Sequence, residues 1–185
     1  ALGYGALSAE TSSSRNVAVG ALTLQAQNGT AGQTYNTAVG YNAGNDITTG
    51  ARNTCVGGLS GDAMTTGTNN TFIGYNTGGT GVVTGADNTA LGISAGASLT
   101  SGTNNVLIGH DAGVSGSPGG NINNESNEIV IGDDAITQAH VQVDWTVASD
   151  QRDKTDFVDL DLGLDFVKAL EPVTYYWDKR SKYGD

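Results

Sequence analysis

The sequence predicts an all-β chain: a stacked parallel β-roll, or β-solenoid, of about eight 17-residue coils, followed by the first part of a small α+β domain. Three observations predict it. A five-residue block, N-T-A-V-G, recurs through residues 1–135. Each copy is a β-rich run bounded by Gly and Asn, the composition of a short strand between tight turns. The composition then changes abruptly near residue 148.

That change sets the domain boundaries. Of 28 glycines, 26 precede residue 149, with only two cations, Arg15 and Arg52, against ten carboxylates. The remaining residues carry six Lys/Arg and nine carboxylates and read as ordinary globular sequence. We therefore expect repeats over 1–135, a neck over 136–148 that includes Trp145, and a separate domain from 149 to 185. The chain opens at Ala1 with no signal-peptide pattern and reads as an excerpt of something longer.

Composition also excludes several classes. A net charge of −11 argues against nucleic-acid backbones and anionic membranes as partners. No run of 18 apolar residues is present, so no membrane insertion by a helix is expected. Cys55 is the only cysteine, which rules out an intrachain disulfide and a cysteine metal cluster. Two prolines and the lack of a Gly at every third position exclude a Pro-rich linker and a collagen.

The repeats follow in order. The blocks end at Gly3, Gly20, Gly40, Gly57, Gly74, Gly92, Gly109 and Gly132, eight copies with a basic period of 17. A second glycine recurs four residues on, as at Gly44 and Gly61, and a third stands three residues before the next Asn, as at Gly50 and Gly67. Glycine at these turns allows φ > 0 without a Cβ clash. Within one block Thr37, Val39 and Tyr41 fall on one side and Ala38 on the other. Small core residues are expected at Ala38, Ala90, Val56, Ile73 and Ile108, with Cys55 standing where Ala38 and Ala90 stand. One Asn per coil is expected to stack as a hydrogen-bonded ladder that satisfies turn amides. Two longer units place extra polar residues at 27–33 and 115–124, expected as edge loops. Tyr41 and Tyr75, each one residue past a block glycine, are expected at coil or subunit contacts.

Candidate ligands are sparse. His110 and His140 lie 30 residues apart with no ligand spacing, and Asp133-Asp134 reads as a solvated turn, so neither a metal nor a cofactor is expected.

The repeats resemble those of trimeric bacterial adhesin heads, where three β-rolls pack side by side, and the Gly/Asn-rich repeats of tailed-phage fibres. The adhesin pattern is nearer N-S-V-A-I-G and its period is shorter. A narrow roll of small residues is a marginal monomer, and packing as a homotrimer would bury its remaining apolar face.

In residues 149–185, Asp161 or Asp165 is placed to cap a short helix that Pro172 ends, and Val173 to Trp177 alternates like a strand. Three motifs stand in order: S-D-x-R-x-K at 149–154, L-G-L-D-F at 162–166, and L-x-P-V-x-Y-x-W at 170–177. They resemble the start of the intramolecular chaperone domain of phage endosialidases and many tail fibres. That resemblance implies a domain that trimerises, templates folding of the fibre before it, and then cuts itself off. It implies Ser149 as nucleophile, Lys154 as general base, Asp150 and Arg152 in support, and the Ser149–Asp150 bond as the one cut. A Ser hydroxyl needs a base, and a desolvated Lys serves as one. Asp153 departs from the hydrophobic residue often found at its position.

The expectation is a structural component of a virion tail fibre or spike, homotrimeric and extracellular, with other virion tail proteins and a host surface glycan or protein as partners. Its only catalysis would be a single self-cleavage. The alternatives are a trimeric bacterial adhesin head, which predicts an anchor or coiled coil instead of the chaperone motifs, and a fibre that keeps its chaperone uncut. A glycan-degrading enzyme needs paired carboxylates in a cleft, which ten scattered carboxylates do not offer. Ice binding needs a more regular Thr ladder than this one.

Overall fold

The computed structural model describes residues 1–28 and 32–142. Trp145, the chaperone motifs with Ser149, Asp150, Arg152 and Lys154, and the helix and strand expected after Asp161 all lie outside the described residues. So do residues 29–31 of the first insertion.

The described residues form a parallel β-solenoid with no helix among them. The described residues hold nine short strands: β1 (Ser13–Ser14), β2 (Val17–Val19), β3 (Gly32–Gln33), β4 (Thr37–Val39), β5 (Thr54–Val56), β6 (Thr71–Ile73), β7 (Thr89–Leu91), β8 (Val106–Ile108) and β9 (Ile129–Ile131). β1 pairs only with β3. The other seven make one all-parallel sheet in chain order, from β2 through β4 to β9. The first block adds a single bridge, Leu2 to Val19. The ladder thus has seven strands where about eight coils were expected.

Register follows the repeat. Ala38 faces Cys55, Cys55 faces Phe72, Phe72 faces Ala90, and Ala90 faces Leu107. The middle residue of every strand in this sheet is buried, and the residue after it is half-buried or exposed. This corrects the expected core. Ala38, Ala90 and Cys55 are inside, but Val56 is only half-buried, and Ile73 and Ile108 are each 37% exposed. The reason is the two-residue period of a strand: once the middle side chain points in, its neighbours point out. The inner wall is completed by Leu24, Ile47, Met64, Val83, Leu99 and Ile122, which face the strands from the opposite side of the roll. That wall has no strands, yet its backbone still bonds coil to coil, as in Gly44 N–H to Ser60 O at 2.9 Å and Asp46 N–H to Asp62 O at 3.0 Å.

The asparagine ladder is present and buried. Asn36, Asn53, Asn70, Asn88 and Asn105 each accept, at Oδ1, the backbone N–H of the ladder residue in the next coil, at 2.9–3.1 Å. Their Nδ2 groups donate to Gly50, Gly67, Gly85, Gly102 and Glu125 carbonyls at 2.7–2.9 Å. One side chain thus pairs two backbone groups that the turn would otherwise strand in an apolar interior. This explains why the third glycine and the Asn keep constant spacing.

Glycine is required where coils touch. At Gly57 φ is 130°, and a Cβ there would overlap the carbonyl oxygen of Gly74 one coil on. The residue before each ladder Asn is also left-handed; Arg52, Asn69, Asp87 and Asn104 have φ of 57–60°. Asn and Asp tolerate that region better than most side chains.

The insertions are not merely edge loops. Gln27 is buried, accepts from Asn36 Nδ2 at 2.6 Å and donates to Thr48 O at 3.0 Å. In the second insertion Ser117 receives the Gly113 N–H at 3.0 Å, and Ile122 turns inward as the core residue of its coil.

Candidate functional site

Among the described residues, the ionisable side chains with possible site chemistry converge at one place, in the last two coils. His110 follows the block glycine Gly109, and Asp133 follows the block glycine Gly132. The β8–β9 register pairs Ile108 with Ile131, so the two residues that follow are brought side by side. His110 Nδ1 lies 3.1 Å from Asp133 Oδ2 and 3.4 Å from Asp111 Oδ2. The imidazole is 61% exposed, and the two carboxylates are more covered.

The backbone holds each group. Asp111 is left-handed, with φ 51°, and its N–H bonds Ile93 O of the previous coil at 3.0 Å. Asp133 Oδ1 accepts the Ala135 N–H at 3.0 Å, which leaves Oδ2 for His110. The hydrogen bond that the imidazole donates to Asp133, followed by the charge of Asp111, raises the His110 pKa above its ordinary value. The same bond, with the Ala135 N–H second, lowers the Asp133 pKa. An imidazole and two carboxylates in this arrangement can hold a proton or a cation.

The sequence spacing hid this pair. In sequence His110 pairs by type with His140, which is exposed and outside the cluster, and Asp133 with its neighbour Asp134. The 23-residue coil separates His110 from Asp133 in sequence, yet both occupy the position after a block glycine. Alignment of the repeats by that glycine is the signal that finds them.

The other candidates resolve simply. Cys55 is buried, and burial, helped by the charge of Asp62, pushes its thiol up to about 12. Tyr41 and Tyr75 are 59% and 57% exposed, and the Tyr75 ring lies beside Gly58 of the preceding coil. The residues expected to cut the chain, Ser149 and Lys154, with Asp150 and Arg152 in support, lie outside the described residues.

Residues 149–185 match the family model described as the chaperone of endosialidase, and the match begins at Ser149. No curated protein matches the chain, and no solved structure does.

Proposed function

We propose that this chain is part of a homotrimeric virion tail fibre or spike whose repeats form the shaft or head and whose residues from Ser149 begin a self-cleaving trimerisation chaperone. The family match at 149–185 carries the reading, because a chaperone of this kind serves a fibre that precedes it. The solenoid supports it. Val39, Ile73, Leu91 and Ile108 occupy one outward strand position, each at least 36% exposed, with Tyr41 and Tyr75 beside them. They form an apolar stripe along the sheet from β4 to β8, about 19 Å long for strands about 4.8 Å apart. A stripe of that length on a soluble surface marks a contact face. A second copy has the same pitch and meets it coil for coil.

In this reading Ser149 serves as the nucleophile and Lys154, neutral once desolvated, as the general base that takes the hydroxyl proton and passes it to the departing Asp150 amine. Hydrolysis of Ser149–Asp150 consumes one water and leaves a new carboxylate and a new amine. Asp150 and Arg152 position the pair. The released fibre has lost its folding template, so it is trapped kinetically rather than held by equilibrium stability. The trimer then attaches the virion to a host surface glycan or protein.

The test is the intact denatured mass of the full-length gene product, for wild type, Ser149→Ala and Lys154→Ala. Two wild-type fragments that meet next to Ser149, with one uncut chain from each variant, support self-cleavage. One uncut chain in all three overturns it and leaves a fibre that retains its chaperone.

A further inference from the structure

We propose that His110, Asp111 and Asp133 form a binding site for one divalent transition-metal ion of the Zn²⁺ type. The inference is independent of the fibre reading and rests on the described coils alone.

Geometry comes first. The three donor atoms lie within 4.8 Å of one another, and this is the only such group among the described residues. Two of the separations are 3.1 and 3.4 Å. A zinc ion with bonds of about 2.0–2.1 Å sets tetrahedral ligand atoms roughly 3.3 Å apart. The imidazole is therefore already spaced from each carboxylate as two ligands of one ion would be. The third separation, between the two carboxylates, is also within 4.8 Å.

Chemistry comes second. One imidazole with two carboxylates is a mixed nitrogen and oxygen set, which suits Zn²⁺ and its neighbours. Ca²⁺ and Mg²⁺ prefer all-oxygen cages with more ligands. The site leaves a fourth position open to water, because His110 faces solvent. Asp133 is also oriented as a ligand should be: the Ala135 N–H holds its Oδ1 and fixes the direction of Oδ2.

Charge comes third. Two carboxylates one coil apart place negative charge on both sides of the imidazole. The only Lys or Arg among residues 1–142 are Arg15 and Arg52. Arg52 Nε donates to Asn69 and Arg15 to Tyr35, both in earlier coils. Neither Arg reaches the two carboxylates, so a bound dication meets no competing Lys or Arg there. The repeat itself departs here too. The same position holds Tyr41, Gly58, Tyr75 and Ile93 in the preceding coils and carries an imidazole or a carboxylate only in the last two.

The test is calorimetric titration of ZnCl₂ into the metal-stripped full chain at neutral pH, for wild type, His110→Ala, Asp133→Asn and His140→Ala. One ion per chain is expected in wild type and in the His140 variant. Binding should weaken at least about tenfold in the other two. Far-UV circular dichroism checks the fold, and His110→Gln replaces any His110→Ala that unfolds. The proposal is overturned if wild type takes up no stoichiometric zinc. It is also overturned if folded His110 or Asp133 variants bind as wild type does, or if CaCl₂ binds as tightly as ZnCl₂.

Discussion

Asn70 shows what one residue does here. Its Oδ1 receives the Asn88 N–H at 3.0 Å, and its Nδ2 donates to the Gly85 carbonyl at 2.9 Å. Asn70→Ala leaves both backbone groups buried without partners, at a cost of about 3 kcal/mol. A denaturation midpoint that does not move would contradict the ladder. Cys55 makes a second residue-scale prediction. With its thiol pushed up to about 12, the reactive thiolate is nearly absent at ordinary pH. The folded chain should resist iodoacetamide at pH 8, while the unfolded chain reacts. The linkage has a definite sign. The folded thiol binds its proton more tightly than the unfolded one, so its stabilising contribution is complete below about pH 8.5 and is lost as pH rises toward 12. Cys55→Ala should remove that alkaline loss. Both residues were legible in sequence, because each sits at a fixed place in the repeat.

At the scale of the coil, two backbones approach too closely for any side chain. Gly57→Ala places a methyl against the Gly74 carbonyl at a φ of 130°, and the variant should fail to give the cooperative melting of wild type. Phe72 is the opposite case. It fills the column that holds Ala38, Cys55 and Ala90 in nearby coils, and its ring occupies the space above Gly78. The strand positions were readable from the block, but the inward face was not. The block offers Ala on one side and Val or Ile on the other, and size alone favours burying the larger. The middle position of each strand points inward whatever its size, Ala38 and Phe72 alike, so Ile73 and Ile108 face outward. Ile122 was unreadable for a related reason: it is one apolar residue in a polar insertion, and only closure of the turn by Ser117 shows that it points in.

For the whole molecule, the apolar stripe is the feature a lone roll leaves unexplained. Ile73→Glu with Leu91→Glu places charges at two outward positions of adjacent strands. Each chain should keep its β-sheet circular dichroism, because neither side chain enters the core. Association into larger species, read by light scattering on the full-length product, should be lost. Unchanged association would place the subunit contact elsewhere. Period, strand class and chaperone motifs were all legible at this scale. The His110–Asp133 contact was not, because it depends on a register that the 23-residue coil conceals.

Each coil of this stack hydrogen-bonds the next through the same backbone and asparagine contacts as its neighbours do. A stretch from just after one block glycine through the next, such as residues 41–57, begins and ends at equivalent points of the roll. Unequal recombination between two such points in the gene removes or adds a whole coil and leaves every remaining interface a copy of one that already exists. Length can therefore drift in steps of one turn under selection for reach, while sequence inside the turn stays tied to the ladder.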